Sequence, residues 1–77
     1  MPKFPTISGK EFIKFLEKLG FIDIRVRGSH HRLSQTDGRK TTIPVHSNQD
    51  LPIGLIKKIL NEDIQIKDEI FINYFHK

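Results

Sequence analysis

Phe12, Ile13, Phe15, Leu16 and Leu19 recur at intervals of three and four, the spacing of one face of a helix, and the run stops at Gly20. Ser8 stands three residues before Glu11, the spacing of a capping box, so the pattern predicts a first helix over about residues 9–19. From Phe21 the period changes to two. Ile22, Ile24 and Val26 alternate with Asp23, Arg25 and Arg27, which predicts a strand with its apolar side buried and its arginines outward. Gly28-Ser29 interrupts it, and a second extended segment runs over about His30 to Gln35. Thr36-Asp37-Gly38 is a hairpin signal before a third strand, Lys40 to Val45, with Thr41, Ile43 and Val45 on one side.

Asp50-Leu51-Pro52 predicts the next helix start, with Asp50 as cap and Pro52 in the first turn. Leu51, Leu55, Ile56, Ile59 and Leu60 form its apolar stripe. Gly54 lowers helix propensity there, either because a neighbour packs close or because the core tolerates it. Ile64 and Ile66 alternate like a strand, but Ile70, Phe71, Tyr74 and Phe75 fit a short closing helix, so residues 64–75 read as loop then helix. The resulting fold class is α+β in the order α-β-β-β-α. A three-stranded antiparallel sheet carries helices on one face and leaves the other open. This layout resembles that of double-stranded-RNA-binding domains.

Length bounds the answer to one small domain over residues 1–77. With 36% hydrophobic and 29% charged residues the chain is expected to fold, and with no cysteine it has neither a disulfide framework nor a thiolate site. A large cofactor-dependent enzyme is excluded. The formal charge of +4 favours a polyanionic partner. The positive charge is central: Arg25, Arg27, Arg32, Arg39 and Lys40 against Asp23 and Asp37 give +3 over residues 21–46, whereas residues 61–77 carry −2. Met-Pro-Lys-Phe opens the chain without a signal-peptide stretch, and no apolar run is long enough to span a bilayer, so the expectation is a cytoplasmic protein with no membrane partner.

The densest polar cluster is Arg25-Val26-Arg27-Gly28-Ser29-His30-His31-Arg32, with His46 further along. Histidine titrates near neutrality and can move a proton in a transition state. Neighbouring arginines can hold a phosphodiester, and an RNA 2′-hydroxyl is a nucleophile already beside the scissile phosphate. Such a reaction calls for no metal or other cofactor, and DNA lacks the nucleophile. Adjacent strand residues face opposite ways. His31 shares parity with Leu33 and reads as partly buried, while His30 shares parity with Arg32 and Ser34 and is the favoured catalytic candidate. His46 is a supporting acid/base or a structural residue. Gly28 and Ser29 offer backbone N–H groups and a hydroxyl to phosphate, or form an ordinary turn. Lys57 and Lys58 reach phosphate or merely solvate their helix. A zinc site on His30, His31 and His46 is disfavoured because adjacent histidines do not converge and no further ligand is suitably spaced. The aromatics do not interleave with the basic strands, which argues against base stacking on the sheet.

Together these pieces resemble the HicA toxin family. The likeness rests on Leu19-Gly20-Phe21, Arg27-Gly28-Ser29-His30-His31, Asp37-Gly38-Arg39, Ile43-Pro44-Val45-His46, and Asp50-Leu51-Pro52-Ile53-Gly54 leading into Ile56-Lys57-Lys58-Ile59-Leu60. It covers most of residues 8–62. The resemblance implies a toxin acting as an mRNA interferase, dependent on one histidine in the strand after the glycine. That role falls on His30, with His31 in reserve. It also implies a HicB-like antitoxin partner, and it matches His46 to a second recurrent histidine. The segment Asn61-Glu62-Asp63-Ile64-Gln65-Ile66 departs from the family pattern, so the C-terminal geometry does not follow from the likeness. A noncatalytic RNA-binding domain and a protein-interaction domain stay open as alternatives.

Overall fold

The computed structural model describes residues 4–47 and 49–76. Met1, Pro2, Lys3 and Lys77, which enter the leader and charge readings above, lie outside the described residues, as does Asn48. The elements follow in the order α1 (Gly9–Lys18), β1 (Ile22–Arg27), β2 (His30–Ser34), β3 (Lys40–Pro44), α2 (Ile53–Lys58), a π-helical continuation (Ile59–Ile64) and α3 (Asp68–Phe75). The strands form one antiparallel sheet in the order β1-β2-β3, with the helices packed against it. This is the α+β architecture that the periodicities predict.

The start of α1 is fixed by the expected capping box. The Glu11 backbone N–H donates to Ser8 Oγ at 3.2 Å, and the Ser8 N–H donates to Glu11 Oε1 at 3.0 Å. Such a cap contributes about 1 kcal/mol. Gly9 is buried against the end of β3, where a Cβ would run into the Pro44 carbonyl oxygen. The amphipathic face then buries Phe12, Ile13, Phe15 and Leu16. They meet Leu33 and Ile43 of the sheet, Ile56 of α2, Ile59, Leu60 and Ile64 of the π-helical segment, and Phe71 of α3 in one core.

The sheet is two consecutive hairpins. Gly28-Ser29 joins β1 to β2, and the positive φ of Gly28 (59°) with no positive φ at Ser29 suits a type II′ turn. Between β2 and β3 the Asp37-Gly38 turn is present: the Gln35 N–H donates to the Arg39 carbonyl at 2.8 Å, and Gly38 has φ 99°. Thr41 and Ile43 are buried and Val45 half-buried, as their parity predicts.

The apolar side of β1 is not buried. Ile22, Ile24 and Val26 are 58%, 56% and 57% exposed. The register shifts between Asp23 and Arg25, so that Ile22 pairs with Ser34 on one face and Val26 with His31 on the other. A bulge at Ile24 therefore divides between two faces what the alternation assigned to one. β1 is also an edge strand, with the buried core on β2 and β3.

The second helix starts later than its sequence pattern predicts. Asp50 forms an isolated bridge with Ser8, the Leu51 N–H donates to the Ile7 carbonyl at 2.7 Å, and Pro52 rather than Asp50 occupies the cap position. Pairing with the segment before α1 holds this stretch extended. After Lys58 the backbone widens into the π-helical turn and ends at Gln65, in the left-handed region at φ 59°. Residues 64–75 thus continue from the π segment through a short connection into α3.

Gly54 is exposed, and a Cβ there would meet nothing within 4 Å. Close packing does not explain this glycine. Gly54→Ala is expected to stabilise the chain by about 0.5–1 kcal/mol, read as a higher urea midpoint at unchanged slope.

Candidate functional site

The basic residues of the hairpin gather on the sheet face away from the helices. Arg25 lies directly opposite Arg32, Arg27 opposite His30, and Lys40 opposite Ser34. Arg25, Arg27, His30, Arg32 and Lys40 are all exposed, and Arg32 Nη1 donates to Thr42 Oγ1 at 2.9 Å. Like charges facing each other across a strand pair repel. An anion placed between Arg25 and Arg32 would relieve that repulsion.

The two candidate histidines lie on opposite faces, as parity requires. His30 is on the outer face, between Arg27 and Pro44 in register. His31 is on the helical side, between Val26 and Ile43, and its Nδ1 lies 2.7 Å from Asp23 Oδ2. The two side chains are 25% and 24% exposed. The bulge makes this contact possible by keeping Asp23, the partner of Leu33, on the same face as His31. A carboxylate in this place favours the ring form with hydrogen on Nδ1. Exposed Val26 stands beside His31, so the helical layer leaves this end of the sheet uncovered.

The turn residues bound this end. Among the described residues nothing lies within 4 Å of where a Gly28 Cβ would stand, and the Ser29 carbonyl accepts from the Val45 N–H at 2.7 Å, which draws the start of the segment leading to exposed His46 alongside the turn. Arg39 is used differently from its basic neighbours. Its guanidinium donates to Asp37 Oδ2 at 2.8 Å and to the Ile64 carbonyl at 2.6 Å, and it lies 5.3 Å from the centre of the Phe21 ring. It fastens the β2–β3 turn to the π-helical segment. Lys57 and Lys58 are exposed on α2, in the helical layer on the other side of the sheet from the arginine face. Lys57 Nζ sits 5.1 Å from the centre of the Phe4 ring. Among the described residues no three His, Cys, Asp or Glu side chains gather as a metal site, and no helix is long and apolar enough to cross a membrane.

Asp23 escaped the sequence reading, where it counted only as charge set against the arginines. The signal for it was a polar residue within an apolar alternation eight positions from a histidine, and only the bulge gives that spacing meaning.

A fold with this strand order, a Gly-Ser turn and a histidine pair just beyond it can be compared with known families. The family model described as the HicA toxin of bacterial toxin-antitoxin matches residues 9–66. The chain belongs to the HicA toxin family. The match runs from the first residue of α1 to just past the π-helical segment, so the segment that departs from the family pattern lies within it and α3 lies beyond it. Membership of the HicA family supports a toxin of the nuclease type. No individual curated protein matches the chain.

Proposed function

We propose that this HicA chain, acting as a single domain in the cytoplasm, is an mRNA interferase that cleaves RNA by metal-independent proton transfer at His31. The observation that carries the assignment is the His31–Asp23 pair at the uncovered end of the sheet, next to the turn that bears Arg27. Of the two candidates, His31 has an imidazole held in one orientation with Nε2 free. His30 has no such restraint among the described contacts and sits among arginines, where it serves phosphate contact.

The reaction is a transesterification. His31 Nε2 takes the proton of the 2′-hydroxyl, the 2′-oxygen attacks phosphorus, and the bond from phosphorus to the 5′-oxygen breaks. The imidazolium formed supplies the proton that the 5′-oxygen needs, leaving a 2′,3′-cyclic phosphate and a 5′-hydroxyl. Arg25, Arg27 and Arg32, with Lys40 farther along the same face, hold the RNA backbone on the outer side of the sheet, from which the strand passes over the turn to reach His31. Gly28 and Ser29 let the strand pass close over the turn. His46 supports the site from the segment beside it. A HicB-like antitoxin is the expected protein partner, and covering this hairpin end would silence the chain.

The test is incubation with labelled single-stranded RNA in EDTA, with product ends identified by mass spectrometry. Cyclic phosphate ends from the wild-type chain and from His30→Ala, and their absence with His31→Ala, are the expected result. Binding without new ends would instead leave a noncatalytic RNA-binding domain. Cleavage by His31→Ala at the wild-type rate would remove His31 from the mechanism.

A further inference from the structure

An aspartate is an unexpected choice at position 23. Its cross-strand neighbour Leu33 is fully buried, and Asp23 Oδ1 is buried without a hydrogen-bond partner among the described residues. A buried polar atom left unsatisfied is destabilising, so the residue weakens the sheet where a valine or threonine would strengthen it. Among the described residues its one side-chain hydrogen bond, at 2.7 Å, is to His31 Nδ1. The carboxylate is thus held on the helical face, at a stability cost, with the imidazole as its polar partner.

We infer that Asp23 is a positioning residue for the proton-transfer step: it fixes the His31 ring in the tautomer with hydrogen on Nδ1 and stabilises the imidazolium formed when Nε2 takes a proton. This rests on the assignment of His31 given above. Neutral histidine in water favours hydrogen on Nε2, the form that cannot accept there. The contact at Nδ1 reverses that preference, in the way a buried carboxylate orients the histidine of a serine-protease triad. Nothing of this kind faces His30 among the described residues. The two adjacent histidines therefore differ in chemistry although they share a strand.

Two measurements on the full-length chain test it. The ring nitrogen spectrum of His31, recorded where the ring is neutral, is expected to carry the Nδ1-protonated pattern in the wild type and to move toward the Nε2-protonated pattern in Asp23→Ala. With RNA as substrate, kcat is expected to fall by at least about tenfold in Asp23→Ala with KM within about twofold. Asp23→Asn, whose amide NH2 can turn to the ring and favour hydrogen on Nε2, is expected to lose kcat as Asp23→Ala does. A wild-type ring protonated on Nε2 overturns the inference. So does a kcat within twofold of wild type in Asp23→Ala while His31→Ala is inactive, an outcome that leaves the role of His31 intact. Full cleavage by His31→Ala overturns both, even if the Nδ1-protonated pattern is seen.

Discussion

Phe71→Ala is expected to destabilise the chain by about 3–5 kcal/mol, the range for removing a fully buried phenylalanine. Phe71 is completely buried, and its ring centre lies 5.3 Å from that of Phe4, 5.6 Å from Phe12, 5.4 Å from Phe15 and 5.0 Å from Phe75. The offset and edge-to-face geometries add to the area buried. A chain of this length has a total stability on the order of 4–12 kcal/mol, so the substitution removes a large share of it. Urea titration followed by circular dichroism reads the change. The outcome matters because Phe71 lies beyond residue 66, where the family match ends. A shift below about 1 kcal/mol would make α3 an appendage, whereas the expected loss makes it part of the core.

The second large effect is chemical. His31→Ala is expected to slow RNA cleavage by about 10²–10⁴-fold, the usual contribution of a positioned acid or base, with RNA binding little changed because the backbone contacts sit on the arginine face. His30→Ala is expected to act in the opposite sense, raising KM a few-fold and leaving kcat near wild type. Single-turnover rates at saturating RNA separate the two. A fall in kcat for His30→Ala comparable with that for His31→Ala would mean that the chemical step, and not only RNA binding, draws on the outer face of β2.

Much of the fold is legible in the chain because its signals are local. Ser8 and Glu11 cap a helix whose apolar stripe follows at once, and Gly28 and Gly38 occupy turns in which positive φ is required. The closing helix could be read from Ile70, Phe71, Tyr74 and Phe75, although its packing on α1 could not. What escaped depends on backbone irregularity. Strict alternation puts Ile22, Ile24 and Val26 on one buried face, but the bulge and the edge position leave all three exposed. The widening of α2 at Ile59 has no residue signature either. For the site, parity puts His30 and His31 on opposite faces as found, but a strand pattern does not reveal that Asp23 comes round to face His31. Arg39 is counted with the basic surface by charge alone, and only the fold reveals its bond to the Ile64 carbonyl.

That bond has a companion: Thr41 Oγ1 donates to Asp63 Oδ2 at 2.9 Å, so two side chains stitch the β2–β3 hairpin to the end of the π-helical segment. Amide hydrogens of β3 and of residues 59–64 should therefore exchange with solvent as one cooperative unit, at a free energy near that of global unfolding. Among the described residues β1 has no such stitch to the helices, and it lies at an edge, so its amides should open alone and more often. The molecule thus joins a rigid half to a yielding one, and the yielding strand is the one that carries Arg25, Arg27 and Asp23.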